Sequence, residues 1–386
     1  MKNNYECIVI GGGVAGSTAA YHLAKLGYNV AVLEKTQGPH HKVCGEFLSF
    51  EALAYLKGMG ITLNDDSPVV KYFKLFSPRS NTGFTFPSPG RGISRYKLDE
   101  EILNNAESAG ADVLRAVCMR GYHKEVEGFF KVETNAGDFY ARYLFMAIGK
   151  HDYSKEHKRR GKDQSYLGLK THIRLKSLRR EFKETTMLFS FPGGYGGICP
   201  VENDMMNFCF IIDKKVYKLL NSSFDGVIAF LRRSNPKLDS VVQEAGFIEP
   251  VCAVGYIPYG FLSRHSHQEN VYSLGDQRAV IPSFTGDGMA IALSTAKNCV
   301  CEFDSHQKGI PFPTEPMQKT LTKQMRWALM AHAILKSSFL TEMCMAIPGF
   351  GPFLIETIFK KTRIPAIEDN HRNYETAALE NNYSRR

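Results

Sequence analysis

The chain has 386 residues, of which 44% are hydrophobic and 23% charged, with a formal net charge of +9. This balance supplies a large soluble core and excludes a disordered or fibrous chain, and the length suggests two domains, or one with an inserted sheet. No run of eighteen uncharged apolar residues occurs, so no transmembrane helix is expected. The basic excess comes without a nucleic-acid-binding motif, so nucleic acid is not an expected partner. Basic residues cluster at Lys155–Lys162, Lys176–Arg180 and Lys360–Arg363. Solvated loops and helix ends account for them, and attraction to an anionic substrate, membrane surface or nucleotide is the sharper alternative. Nine cysteines are scattered with no CxxC pair and no Cys/His cluster of zinc spacing. That pattern fits a reducing cytoplasm and gives no metal site. Met1–Tyr5 is polar and leads straight into an apolar run, so no signal peptide is expected.

Glu6–Ile10 reads as a short buried strand. Gly11-Gly12-Gly13-Val14-Ala15-Gly16 follows at once, Ser17–Leu26 reads as a helix ended by Gly27, and Asn29–Leu33 reads as a second strand with Glu34 at its end. Each part has a physical task. Gly11 permits the tight turn, Gly13 lets a pyrophosphate approach the backbone, and Gly16 lets the helix pack close to the strand. The helix N-terminus offers unpaired N–H groups and positive dipole to phosphates, and Glu34 can accept from ribose hydroxyls. GxGxxG is weak alone. Between a strand and a helix, with its acid in place, it marks a dinucleotide site.

Thr36–Ser49 reads as a polar loop and Glu51–Lys57 as a short helix. Val69–Phe76 and Thr82–Phe86 alternate as strands do. Tyr96–Ala109 carries a helical stripe of Leu98, Ile102, Leu103 and Ala106. Asp112–Cys118 supplies a strand, and Gly121–Thr134 with Asp138–Ile148 reads as a meander ending at Gly149. Leu167–Ile212 is strand-rich and reads as a separate antiparallel sheet. Helices are expected near Phe224–Arg232 and Lys237–Ala245, strands at Val251–Tyr256 and Val271–Leu274, a helix at Gly286–Phe303, and an all-helical tail after Pro316. There is no second GxGxxG after a strand, so a dedicated NAD(P)H domain is not expected.

Four ordered blocks then carry a resemblance: GGGVAGS with Glu34; Arg95 before the Lys97–Ala109 helix; Val271–Asp276 (VYSLGD); and Pro282–Gly288 (PSFTGDG) entering a helix. The chain resembles the FAD-dependent superfamily of geranylgeranyl reductases, aromatic hydroxylases and flavin-dependent halogenases. The geranylgeranyl reductase-like proteins are its nearest subgroup, on Lys42-Val43-Cys44-Gly45-Glu46 and on Phe191–Pro200 (FPGGYGGICP). The resemblance implies an α/β fold of the para-hydroxybenzoate hydroxylase type: a Rossmann-type FAD-binding domain (1–70, 92–165 and 265–310), an inserted antiparallel β-sheet substrate domain (71–91 and 166–264) and a helical C-terminal region (311–386). It implies FAD as cofactor, with Arg95 helping to hold the nucleotide, Asp276 on the ribityl chain, and the Gly286–Gly288 turn facing the flavin pyrimidine edge. The expected cofactor-binding set is Gly11, Gly13, Val14, Ala15, Gly16, Glu34, Lys35, Lys42, Cys44, Gly45, Arg95, Cys118, Gly149, Gly275, Asp276, Gly286, Gly288 and Met289. The chain departs from aromatic hydroxylases at Gly149-Lys150-His151-Asp152, where they carry an Asp-Gly block. It departs from tryptophan halogenases in having a single tryptophan, Trp327, and no WxWxIP segment.

Cys44, Glu46 and Asp287 are the candidate catalytic groups: a thiol in a glycine turn and two acids. His40, His41 and His151 read as surface histidines. Tyr195, Gly196 and Pro200 are expected at the substrate. The Phe-, Tyr- and Met-rich sheet and the apolar helices Ala328–Leu335, Phe339–Ile347 and Phe350–Phe359 suggest a hydrophobic small-molecule substrate, prenyl or polyketide-like. The expected activity is hydride transfer or oxygenation at the flavin, with NAD(P)H or a separate electron donor as external reductant. An FAD monooxygenase acting on an aromatic substrate is the rival, and a non-catalytic flavin-binding redox sensor the reading from another class. A cytoplasmic protein is expected, with peripheral membrane contact through the tail and Lys360, Lys361 and Arg363 as a further expectation.

Overall fold

The computed structural model describes residues 3–125, 128–152, 159–176, 180–263, 267–347 and 349–364. Residues 155–158 and 177–179 of the two central basic clusters lie outside that set.

The N-terminal strand Asn4–Ile10 is flanked in parallel by Val30–Glu34 and Gly137–Met146. Val30–Glu34 pairs onward with Asp112–Arg115, and Gly137–Met146 with Val271–Ser273, both in parallel. These central strands are buried on both faces, which is why they read as continuous apolar runs rather than alternating ones. On one face lie the helices Val14–Lys25, Arg95–Ser108 and Gly288–Gln307. Ala19, Ala20, Leu23, Leu103, Ala106, Ala296 and Phe303 pack there on Val9, Val32 and Phe145. The alanines keep the first helix close to the sheet. The hairpin Met119–Lys124 and Phe130–Thr134 covers the other face, packing Phe130 and Val132 on Ile8, Ile10 and Leu144.

A second eight-stranded sheet runs in the order Ala245–Gly255, Tyr166–Leu175, Met205–Asp213, Gly194–Val201, Thr185–Phe191, Val69–Phe76, Asn81–Gly92 and Phe47–Leu48. Its pairs are antiparallel except that Thr185–Phe191 lies parallel to Val69–Phe76. One face is closed by Phe224–Ser234 and Pro236–Glu244, which pack Val227, Leu231, Leu238 and Val241 on Phe189, Phe208 and Phe210. At about 1.5–3 kcal/mol for each fully buried large apolar side chain, such a layer holds the sheet firmly. The opposite face looks toward the first unit and toward the tail helices Glu315–Leu335, Ser338–Ala346 and Phe350–Thr362.

Three expectations shift. The strand after the Arg95–Ser108 helix stops at Arg115, because Ala116 turns to φ +58. Ala245 opens an eleven-residue strand instead of ending the preceding helix, and its extended backbone (φ −83, ψ 128) caps that helix at Glu244. Pro200, expected at the substrate, packs within the second sheet instead. A Cβ built on Gly92 would come within 1.7 Å of the Pro200 carbonyl oxygen, so the two backbones meet there and Pro200 lines neither cavity described below.

Candidate functional site

The glycine turn is locked by its neighbours. A Cβ on Gly16 would fall 1.8 Å from the Gly11 carbonyl oxygen, so the first turn of the helix presses on the loop. Gly11 holds φ +102, where a side chain is strained in addition to colliding with the Ala147 carbonyl. Gly13 is different: the space beside it is bounded by Lys42 Nζ at 3.5 Å and Arg95 Nη2 at 3.7 Å from a built Cβ. The helix beginning at Val14 has no side-chain N-cap, so its first N–H groups keep their dipole for a ligand.

Glu34 ends the second strand, 6% exposed. Its Oε2 accepts from Gly12 N at 2.8 Å and its Oε1 from Thr36 N and Oγ1 at 3.0 and 2.8 Å. Burial works against its ionisation, but those hydrogen bonds and the Lys42 charge outweigh it and hold the carboxyl below its ordinary range. Asp99, on the Arg95–Ser108 helix, grips both cations beside Gly13: Lys42 at 2.7 Å, and Arg95 through Nε and Nη2 at 2.6 and 2.8 Å. At the far end, Lys150 Nζ stands 3.4 Å from Asp276 Oδ2.

Apart from Asp99, which holds its two cations from behind, the side chains of these groups wall one cavity of about 610 Å³ between the two units. Every member of the expected cofactor-binding set lines it except Gly16, which lies behind the loop as its contact with Gly11 requires. His40, His41 and His151, read from the sequence as surface groups, also line it. Burial, followed by nearby lysine or arginine charges, lowers the pKa of all three and keeps them neutral near pH 7. A dinucleotide fits this donor set: open backbone beside Gly13 between two cations, an ionised acid at the strand end, and glycine turns at Gly45 and Gly286.

A second, smaller cavity of about 110 Å³ adjoins the first and shares Gly45, Phe47, Cys209, Ser283 and Gly286 with it. Phe73, Phe84, Phe86, Phe284, Phe359, Met187, Leu188 and Tyr195 form most of its wall, and Gly196 lies on it. Tyr195 OH contacts His332 Nδ1 at 3.1 Å, and His332 Nε2 lies 3.6 Å from Asp163 Oδ2. Burial pushes His332 down to about 4 despite that carboxylate.

The three candidate catalytic groups meet different fates. Cys44 is partly exposed on the larger cavity, with its sulfur accepting from Glu46 N at 3.5 Å. Glu46 is fully buried at φ +57, and its carboxylate is saturated. Lys170 Nζ at 2.8 Å and Arg95 N at 2.8 Å donate to Oε1, and His172 Nε2 lies 2.7 Å from Oε2. Burial would raise its pKa, yet His172 and Lys170 hold it below the ordinary value, so Glu46 is an ionised strut rather than a proton donor. Ligand atoms of His41, Glu46 and His172 lie within 4.8 Å of one another, and the Lys170 ammonium already supplies the cation that such a trio would seek. Asp287 is buried behind Gly286 and paired to Arg363 Nη2 at 2.6 Å. Burial pushes it up to about 8 even so, which keeps a proton on it at neutrality.

Residues 6–44, the first strand through the loop after the second, match the family model of the FAD-dependent oxidoreductases. The chain is 34% identical over 123 residues to the menaquinone reductase of Mycobacterium tuberculosis, covering 30% of this chain and 29% of that protein. The family-model match marks the dinucleotide-binding segment as that of an FAD-dependent oxidoreductase. Its cofactor is FAD. The flavoprotein fold extends over the whole chain. The flavin-dependent brominase Bmp2 superposes with TM-score 0.79 at 16% identity, covering 99% of this chain and 100% of that one. A geranylgeranyl bacteriochlorophyll reductase-like protein from Thermoplasma acidophilum gives TM-score 0.73 at 18% identity, with 96% and 100% covered. The chain spans about 29% of the length of the mycobacterial menaquinone reductases that it matches.

Lys170, His172, Asp163, His332 and Asp99 did not emerge from sequence reasoning as site residues, and Arg363, expected with Lys360 and Lys361 at a membrane surface, is instead buried against Asp287 on the wall of the smaller cavity. A usable signal existed for two of them. In Tyr166–Leu175, Lys170 and His172 share one face by alternation, which reads as a wetted face unless a second unit covers it.

Proposed function

We propose that this flavoprotein acts on a hydrophobic small molecule, prenyl- or polyketide-like, by hydride transfer or oxygenation at the flavin. The observation that carries the reading is the aromatic-walled cavity adjoining the cofactor cavity at Gly45, Cys209, Ser283 and Gly286. A cavity near 110 Å³ takes a fragment of about one small ring, since an engineered cavity of about 150 Å³ binds benzene. A further apolar cavity of about 50 Å³ lies next to it, sharing Phe73, Leu188, Phe284, Ile355 and Ile358 in its wall, and offers room for a longer tail on the same molecule if those side chains part.

In this reading the Gly11–Gly16 turn, the helix N-terminus, Lys42 and Arg95 hold the pyrophosphate, and Glu34 takes the ribose hydroxyls. Asp276 takes the ribityl chain, and the Gly286–Met289 turn offers N–H groups to the pyrimidine edge. FAD, when bound, supplies the redox chemistry. The protein supplies placement, an anhydrous wall and a positively charged surround. Cys44 and protonated Asp287 are the proton-donor candidates. Tyr195, linked through His332 to Asp163 near the surface, orients the substrate. Reducing equivalents come from NAD(P)H or a separate electron donor. Contact with a membrane surface through the tail belongs to the same reading.

The test is direct. FAD-reconstituted protein is titrated with a prenyl alcohol and with a simple phenol, following perturbation of the flavin absorbance. Tighter binding of the prenyl probe, with anaerobic turnover of its alkene by dithionite-reduced protein, supports reduction. A product that requires O₂ supports oxygenation. Neither probe perturbing the flavin at millimolar concentration overturns the assignment of the cavity.

A further inference from the structure

Seven of the most exposed large apolar side chains fall between Met330 and Phe353. Phe339 is 72% exposed, Phe353 65% and Ile347 55%, with Leu340, Met343 and Phe350 between them in sequence. Five of them lie on Ser338–Ala346 and Phe350–Thr362, two helices that meet at a 114° bend, with Ile347 at the end of the first and Met330 on the preceding helix. Single exposed apolar residues are ordinary, whereas a run of them on one corner marks a contact surface. Among the described residues no single helix is long and apolar enough to cross a bilayer; the two helices reach that length and composition only together, and their 114° bend suits a corner that inserts into an interface.

Two further observations choose the occupant. The first is charge. The carboxylates on the two helices are both engaged: Glu342 accepts from Arg79 N at 2.7 Å and Ser80 Oγ at 2.9 Å, and Glu356 pairs with Lys360 at 2.7 Å. Lys336 precedes the corner, Lys360 and Lys361 follow it, and Lys323 and Arg326 are exposed on the neighbouring helix. Lys360 is engaged by Glu356 and Lys336 lies 3.4 Å from Asp163, so Lys361, Lys323 and Arg326 supply the net charge, and an apolar corner with that excess and no unengaged acid complements an anionic lipid leaflet. The second is the passage beneath. The 50 Å³ cavity is walled by Leu335, Cys344, Met345, Leu354 and Ile355 from the tail helices, and it shares Phe73, Leu188, Phe284 and Ile358 with the aromatic cavity beside the cofactor site.

We propose that the corner formed by the last two helices docks on anionic membrane lipid, and that the apolar passage under it admits substrate from the lipid phase. The docking half stands on the surface alone. The entry half rests on the assignment of the aromatic cavity made above.

Vesicle flotation tests the docking half. The probes are phosphatidylcholine vesicles with and without 30% phosphatidylglycerol, and the protein is the FAD-loaded full chain. Wild type floats with the anionic vesicles and much less with neutral ones. Phe339→Ser/Phe353→Ser loses more than about tenfold of its partitioning while retaining its flavin absorbance, since neither residue lines a cavity. Lys360→Glu/Lys361→Glu loses the preference for anionic lipid. Wild type that stays unbound overturns the proposal, as does a serine variant that floats as well as wild type. So does light scattering that shows a dimer dissolved by the serine substitutions, because the corner would then be covered by a second copy. The entry half is read by delivering the prenyl probe in anionic vesicles. Equal flavin perturbation in wild type and the serine variant overturns entry, while failure of the probe in detergent as well overturns the cavity assignment instead.

Discussion

Lys170→Met removes the cation from the most deeply buried ion pair in the site. The lysine side chain is 1% exposed and Glu46 0%, at 2.8 Å. Deleting one partner of such a pair leaves an uncompensated charge in a low-dielectric setting and costs about 3–5 kcal/mol. Glu46 keeps His172 at 2.7 Å and the Arg95 N–H at 2.8 Å, so the lower half of that range, about 3–4 kcal/mol, is expected. The exposed Lys319–Glu315 pair is the control, and Lys319→Met should leave stability essentially unchanged. The sign of the pH response follows from Glu46. In wild type its pKa is depressed, so its contribution is present above the unfolded value and is lost as pH falls. In the variant burial dominates and raises that pKa above the unfolded value, so the folded state gains protons on acidification. The deficit against wild type should therefore shrink as pH falls from 8 toward 5. Urea unfolding of FAD-loaded protein, followed by far-ultraviolet dichroism, gives both numbers. Adding Glu46→Gln to the variant should recover more than about 1 kcal/mol relative to additivity. A deficit below about 1 kcal/mol, or one that stays constant across that pH range, refutes the reasoning.

Gly16→Ala puts a methyl group 1.8 Å from the Gly11 carbonyl oxygen, so FAD retention should fall at least about a hundredfold, read from the flavin absorbance after desalting. Glu34→Ala and Asp276→Ala should each weaken FAD binding, by about tenfold or more for Glu34, and unchanged affinity in both would remove their assigned roles. His332, depressed from 6.5 to about 4, binds its proton more tightly when unfolded, so stability should fall as pH drops from 6.5 toward 4, by about 3 kcal/mol in all. His332→Gln should flatten that limb. Asp287 is raised from 3.8 to about 8 and binds its proton more tightly when folded, so its contribution is lost as pH rises through that interval. Asp287→Asn should match wild type near pH 4, pull ahead of it as pH rises toward 8 and stay ahead above that, measured as thermal midpoints.

What the sequence disclosed and what it hid divide along sequence separation. The cofactor cavity was legible because its chemistry is written in local motifs. GxGxxG, the acid ending the second strand, and the glycine turns before helices each fix a backbone shape that a ligand uses directly, and the residues they name line one cavity. The polar scaffold behind that cavity was hidden because its partners lie far apart in the chain. Lys170 and His172 reach Glu46 across 124 and 126 residues, and Tyr195 reaches His332 across 137. Alternation in LGLKTHIRL is identical for a strand face in water and for one covered by a second unit. Glu46 shows how this misleads. An acid in a Cys-Gly-Glu block beside a flavin invites assignment as a proton donor, but a carboxylate that already accepts from a lysine and a backbone N–H and lies against a histidine has no reason to take up a proton. Its role is to hold Lys170, His172 and the Arg95 backbone together at the junction of the two sheets, so the phosphate-side arginine and the substrate sheet share one buried anchor. A change on either side is therefore transmitted to the other through that carboxylate, which is why the Lys170 substitution should also loosen FAD, although the lysine lines neither cavity.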